Sequence, residues 1–289
     1  MVFSIVLIAM LQAAPQVDNR PVGFTLWQLP EQTRSQMMSY VIKTPNGKVI
    51  VIDGGMTGDA PYLRKFLKNL GDKVDIWFLT HPHLDHVNAF IDILKKPDGL
   101  KIGCICASLP TEEWMKKYDA QNAGTLVNLN KALRETGRST VELSCGQKFI
   151  LDGVNIQVLG IKNPEILTGT VNNSSIVLRV WDSTKSVLFL GDTGFEAGKK
   201  LLKSEYASCL HADYVQMAHH GQDGAGEDVY KAIKPSYCLW PTPIWLWNVD
   251  NGGGIGSGPW KTLETRKWIK ELAVKDNYVT GVDGLVKID

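Results

Sequence analysis

"VDIWFLTHPHLDHVNAFIDILKK", residues 74–96, decides the fold. It opens with an apolar run of strand length, Val74 to Leu79, whose lack of alternation suits a strand covered on both faces. It closes with a helix-like stretch, Val87 to Lys96. Between them stands His81-Pro-His83-Leu-Asp85-His86, which takes three of the chain's six histidines. A ligand-bearing loop after a buried strand is where α/β sheets place their sites.

In an extended segment, alternation points His81 and His83 to one side. Asp85 and His86 follow as the chain turns into the helix. One short loop can therefore serve two neighbouring ions, with His81 and His83 on the first and Asp85 and His86 on the second. Imidazole and carboxylate suit Zn²⁺, with Mn²⁺ or Fe as alternatives, and no cysteine falls in the cluster to impose a soft metal. Further ligands are expected at other strand ends. Asp192 closes "SVLFLGD" and can bridge two ions; His219 closes "ADYVQMAH" and can complete the second. Taken alone, Gly191-Asp192 also reads as an ordinary turn, and His219-His220 as a cap or loop.

The flanking pattern alternates strands and helices without a linker or low-complexity tract. Strands are expected at 23–29, 39–45 and 48–55, with Asn46-Gly47 as a hairpin signal. A helix at 60–71 precedes the quoted stretch, and the middle, 111–136, reads as helical. A hairpin follows around Asp152-Gly153, then strands, helices and a closing hairpin at "NYVTGVDGLVKI". Two β blocks, each followed by helices, predict two sheets packed face to face with helices outside.

Lys+Arg 31 against Asp+Glu 30 gives a formal charge of +1. No global field draws the chain to nucleic acid or anionic lipid, although a local basic groove stays open. Five cysteines with no CxxC pair read mainly as small apolar residues. Residues 2–14, "VFSIVLIAMLQAA", are apolar and too short to span a bilayer. They lack a basic flank and a clean cleavage site, so residues 1–20 read as a signal peptide or an apolar N-terminal segment, and 21–289 as one domain. Export to the periplasm or medium is preferred to a cytoplasmic location, with no stable membrane insertion after processing.

With His81, His83, Asp85, His86, Asp192 and His219 in this order, the chain resembles the metallo-β-lactamase superfamily. The resemblance covers nearly everything after residue 22. It implies an αββα four-layer sandwich and two divalent ions, with the site next to the first ion less complete. "VIDGG" with Asp53 resembles the superfamily's early strand-end aspartate, which orients a ligand histidine. Several segments, among them "VIKTPNGKVIVIDGG", "NNSSIVLRV" and "ADYVQMAHHG", look more specifically like the hydrolase domain of ComEC competence proteins. "EQTRSQMMS", Gln222 and Gly258-Pro259 depart from that branch. Many superfamily members place a third histidine before the bridging aspartate's strand. Here Asn172 or Asn173 stands there, so that an Asn carbonyl or water replaces it.

The resemblance implies a hydrolase whose nucleophile is a water bridging two ions about 3.5–4 Å apart. Phosphodiesters, nucleic acid among them, are the expected substrates. Another ester, a thioester or a lactam is the alternative, as is a metal-containing binding protein without turnover. Asp85 and His220 are the catalytic candidates, His220 for proton donation or a phosphate contact, with a supporting hydrogen bond as its other reading. The near-neutral charge lends no support to a nuclease. Four tryptophans between 238 and 260, beside a glycine-rich run, read either as an aromatic wall or lid or as packing at the sandwich edge.

Overall fold

The computed structural model describes residues 23–289; the expectations for residues 1–20 lie outside them. The first sheet contains β1 (Thr25–Gln28), β2 (Ser39–Lys43), β3 (Val49–Asp53), β4 (Lys73–Leu79), β5 (Lys101–Ala107) and β6 (Val141–Glu142). The second contains β7 (Lys148–Leu151), β8 (Val154–Gly160), β9 (Val177–Trp181), β10 (Ser186–Phe189), β11 (Tyr214–Gln216), β12 (Tyr237–Trp240) and β13 (Asp276–Val279). A last strand, β14 (Val286–Ile288), returns to the first sheet, giving the orders β14-β1-β2-β3-β4-β5-β6 and β13-β12-β11-β10-β9-β8-β7. The helices are α1 (Ala60–Asn69), α2 (Leu84–Lys95), α3 (Glu112–Tyr118), α4 (Ala123–Glu135), α5 (Phe195–Leu202), α6 (Glu227–Ile233), α7 (Ile244–Trp247), α8 (Thr262–Glu271) and α9 (Thr280–Asp283).

Side-chain alternation along the strands builds the four layers. In β3, Val49 and Val51 face the helix layer with Leu63, Leu67 and Phe90, while Ile50 and Ile52 face the other sheet. In β10 and the residue after it, Val187 and Phe189 point between the sheets, and Leu188 and Leu190 point to the second helix layer. A strand covered on both faces must be apolar at every position, which is why the runs show no alternation. This is the expected αββα sandwich.

Each sheet has an antiparallel half and a parallel half. The pairs from β14 through β3 are antiparallel, and those from β3 through β6 parallel. The second sheet repeats this, antiparallel from β7 through β10 and parallel from β10 through β13. The switch falls at β3/β4 in one sheet and β10/β11 in the other. Turns leaving the C-terminal ends of these strands carry Asp53, the 80–86 loop, Asp192 and His219-His220.

Two local expectations change. The closing hairpin is absent: β13 pairs with β12, whereas β14 pairs with β1 in the opposite sheet. Val286 and Ile288 bury themselves in the inter-sheet core, which outweighs local pairing. The helical stretch 111–136 is broken into α3 and α4, because the Asp119 carboxylate accepts hydrogen bonds from Asn122 Nδ2 (2.8 Å) and Thr170 Oγ1 (2.6 Å). The predicted turn at Asp152-Gly153 is present, with φ of 50° and 81° and β7 and β8 paired across it. Among the described residues no helix is long and apolar enough to cross a membrane.

Candidate metal centre

Tight backbone contacts shape the loop that follows β4. Gly54 N and Gly55 N both donate to His86 O, at 2.8 and 3.2 Å, and Ala89 N donates to Gly55 O at 2.9 Å. A Cβ at 54 would lie 3.3 Å from Phe90 N, so glycine there lets the Asp-Gly-Gly turn clasp the start of α2 without displacing it. Asp53 itself has φ 57° and a fully buried carboxylate. The carboxylate accepts from Thr80 N (2.7 Å), Thr80 Oγ1 (2.6 Å) and His86 Nδ1 (2.8 Å). It thereby holds the proton on His86 Nδ1 and leaves Nε2 facing inward, the role expected of it.

Asp192 is set by an equally constrained turn. Gly191 has φ 56°, and a Cβ there would lie 2.9 Å from Ser175 Cβ and 3.2 Å from Thr80 Cβ. Gln216, fully buried in β11, accepts from Leu190 N and Gly191 N at 2.8 Å each, and donates to Gly191 O at 3.0 Å. Ser175 Oγ accepts from Asp192 N at 3.0 Å and lies 3.2 Å from His81 Nδ1. Sequence reading passed over Thr80, Ser175 and Gln216 as positioning residues. A glutamine inside an otherwise apolar strand was the available signal.

These turns bring the predicted residues together. Asp192 Oδ2 lies 3.2 Å from His86 Nε2, 3.6 Å from His81 Nε2, 3.6 Å from His220 Nε2 and 3.9 Å from His219 Nε2. Asp85 Oδ2 lies 3.0 Å from His220 Nε2 and 3.9 Å from His86 Nε2. His81 Nε2 and His83 Nδ1 approach to 3.1 Å. Two groupings have ligand atoms close enough for one ion each: His81, His86 and Asp192, and Asp85, His86 and His220.

The place expected of His219 is taken by His220. Both residues adopt left-handed backbone, φ 50° and 54°, so the side chains leave the alternation that β11 would impose. Such a conformation costs about 1–2 kcal/mol per residue. It is held by His219 N donating to Gly191 O (3.1 Å) and Thr242 Oγ1 donating to His220 O (2.6 Å). His220 is fully buried, and its Nδ1 donates to Pro241 O at 2.9 Å, so that Nε2 faces Asp85. His219 stands at the rim, 18% exposed, with Nδ1 on Asp223 O (3.2 Å).

Of the two asparagines, only Asn172 faces the cluster, with Nδ2 3.3 Å from His219 Nε2. Asn173 is spent on structure: its Oδ1 accepts from Ala197 N (3.0 Å) near the start of α5, and its Nδ2 donates to Thr168 O (2.8 Å). His211 lies away from the cluster, exposed, with Nδ1 3.0 Å from Ile233 O.

The donor set fits divalent cations. Asp85 Oδ2, His86 Nε2, Asn172 Oδ1, both Asp192 oxygens and His220 Nε2 are buried without a hydrogen-bond partner, and His83 turns its Nδ1 toward His81 Nε2. Several lie within ion-pair distance yet are not aligned as hydrogen bonds, as expected for lone pairs converging on a point between them. Two nitrogens bound to one tetrahedral Zn²⁺ would stand ~3.3 Å apart, close to the separation of His81 and His83. Electrostatics agree. Burial holds the His81 pKa well below, and that of His83 below, the ordinary imidazole value, leaving both neutral as ligands must be. Burial alone would do the same to His86 and His220. At His86 the carboxylates of Asp192, Asp85 and Asp53 prevail and push its pKa well up; at His220 Asp192 and Asp85 prevail and raise it. Burial would likewise raise Asp85 and Asp192, but His86 and His220 hold both well below the usual carboxylate range. Protons on two imidazoles thus balance buried carboxylates where divalent cations would displace them.

The four tryptophans are packed mainly on each other. Trp240 is fully buried and meets Trp247 edge-on at 5.1 Å; Trp245 and Trp260 lie 4.8 Å apart, and Trp245 Nε1 donates to Arg34 O at 3.0 Å.

Back-to-back sheets with helices outside, and a buried His/Asp cluster at their facing switch points, define a metal-binding αββα protein. The chain belongs to the metallo-β-lactamase superfamily, whose family model matches residues 33–237. Over 59 residues it is 46% identical to a UPF0173 metal-dependent hydrolase of Thermodesulfovibrio yellowstonii, a match covering 20% of this chain and 22% of that protein's length. Among solved structures it is similar to the metallo-β-lactamase fold protein YhfI from Bacillus subtilis, at 13% identity and a TM-score of 0.55 over 91% of this chain and 99% of that one. It is also similar to CmlA, a diiron β-hydroxylase from Streptomyces venezuelae, at 12% identity and a TM-score of 0.58 over 93% of this chain and 54% of that one. At such identities the likeness is one of fold.

Proposed function

We propose that this chain is a metal-dependent hydrolase that cuts phosphodiester bonds. The observation that carries the metal dependence is the set of inward-facing nitrogen and oxygen atoms that are buried and lack partners. The choice of phosphodiesters rests on the ComEC-like segments, since this fold hosts many reactions and does not itself name one.

In this reading His81, His83 and Asp192 would hold one ion, and Asp85, His86 and His220, together with Asp192, would hold the other. Bound divalent ions supply positive charge beside the scissile group and make water a stronger nucleophile near neutral pH. The protein's own part is positioning. Asp53 and the Pro241 carbonyl fix the tautomers of His86 and His220. The buried floor formed by His81, His86 and His220 keeps bulk water from competing for the charges. In hydrolysis the water oxygen bonds to phosphorus, the bond from phosphorus to the departing oxygen breaks, and a proton ends on that oxygen. We assign the proton transfer, or a contact to the phosphoryl group, to His219 rather than His220; as donor it would act in its doubly protonated form, since Nδ1 donates to Asp223 O and Nε2 meets Asn172 Nδ2. It is the partly exposed member of the pair, and its Nε2 faces the cluster.

The test is hydrolysis of bis(4-nitrophenyl) phosphate by folded protein loaded in turn with Zn²⁺, Mn²⁺ and Fe²⁺. Turnover that requires a metal and disappears in Asp192→Ala supports the reading. A metal-loaded sample that leaves the diester intact while opening a thioester or lactam refutes it. Metal loading without turnover of any of these would point to a binding protein.

A further inference from the structure

A cavity of about 510 Å³ opens beside the cluster, meeting it at His83 and Asn172. Its far wall is the break between α3 and α4 together with the 167–172 segment. The chemistry of this wall is unusual for a phosphodiesterase. Its side chains include Tyr118, Asp119, Gln121, Asn122 and Thr170, and among the described residues no lysine or arginine lines it. Asp119 is held in place by Asn122 and Thr170, one on each carboxylate oxygen, which leaves further lone pairs free. Lys117 Nζ lies 4.9 Å from the Tyr118 ring centroid, over a face of that ring.

A nucleic-acid strand bound here would bring a second phosphate against Asp119, with no lysine or arginine among the described lining residues to offset it. A quaternary ammonium group, which binds aromatic faces, would meet the Tyr118 ring with Lys117 already over it. Carboxylate, carboxamide and hydroxyl groups are the partners that neutral hydroxyls use. We infer that this cavity receives an uncharged, hydroxyl-rich group of the substrate, a glycerol or sugar unit, so that the bond cut is a single phosphodiester attached to a polyol. The inference rests on the phosphodiesterase reading of the neighbouring cluster and specifies its substrate class.

The experiment compares kcat/KM of the metal-loaded protein on glycerophosphoglycerol, a thymidine trinucleotide, glycerophosphocholine and bis(4-nitrophenyl) phosphate. Glycerophosphoglycerol is expected to exceed the trinucleotide by at least about tenfold, a difference of about 1.4 kcal/mol, and to exceed glycerophosphocholine as well. Asp119→Asn should raise KM for glycerophosphoglycerol and shrink its advantage over the trinucleotide, with thermal unfolding compared to show that the fold is intact. Asp119→Glu should restore part of the preference. Equal or better cleavage of the trinucleotide or the choline ester, or an advantage unmoved by Asp119→Asn, overturns the inference while the aryl diester still reports an active phosphodiesterase. No turnover of any diester removes both readings.

Discussion

Replacing Asp53 by asparagine changes few atoms and tests how the buried cluster is oriented. In the native protein the carboxylate accepts hydrogens from Thr80 N, Thr80 Oγ1 and His86 Nδ1, the last at 2.8 Å. A carboxamide can keep the Thr80 N contact through its oxygen, but its NH₂ must then face His86 Nδ1. Nδ1 has to become an acceptor, which moves the imidazole proton to Nε2. That proton points at Asp192 Oδ2, 3.2 Å away, where a metal ion needs a lone pair. Outer partners of metal-bound histidines are worth about 10–100-fold in metal affinity, or ~1.4–2.8 kcal/mol at 1.36 kcal/mol per decade. Metal affinity, measured by competition with a chelator at constant pH, is therefore expected to weaken by one to two decades. Thermal unfolding of the metal-free protein separates this from simple destabilisation. A folded Asp53→Asn protein binding Zn²⁺ within twofold of wild type would show that Asp53 does not set the His86 tautomer.

Three further outcomes follow from the same geometry. His220→Ala should lower bound metal measured by elemental analysis, whereas His219→Ala should retain it and lose about 10²-fold or more in kcat, the scale of a missing proton donor; the reverse pattern would return His219 to the cluster. Gly191→Ala should destabilise the fold by about 1–3 kcal/mol, because its Cβ would overlap Ser175 and its φ of 56° is unfavourable with a side chain; an unchanged melting temperature would contradict this. Asp182, which accepts from Thr184, Phe24 and Lys185 backbone N–H groups, has its pKa lowered although burial alone would raise it. Its contribution is full above the unfolded value, about pH 4, and fades as pH falls through the lower native value. The stability gap to Asp182→Ala should therefore narrow below pH 4, and a gap constant to pH 2 would count against it.

Much of the centre is local in origin and could be read from the chain. His81 to His86 come from one loop after one apolar strand, so their types and spacing identify a ligand set without knowledge of the partners. The layer order was also legible, because two β blocks, each followed by helices, imply two sheets packed face to face with helices outside. Which sheet the last strand joins was not, since β14 follows β13 by a short connection and yet buries Val286 and Ile288 beneath the opposite sheet.

The amino-acid sequence by itself determined the αββα class, the strand ends that carry ligands and the place of Asp53 beside them. The strand ends depend on residue type, period and position along one element, whereas the αββα class and the place of Asp53 came from the resemblance those residues carry. Only the tertiary structure decided that His220 enters the cluster while His219 stands at the rim, and that Asn172 faces inward while Asn173 supports α5. Within each pair the residues are adjacent and chemically alike, so no pattern separates them. The backbone does: hydrogen bonds to Gly191 and Thr242, far apart in sequence, hold two successive left-handed residues and reverse the direction that strand alternation predicts.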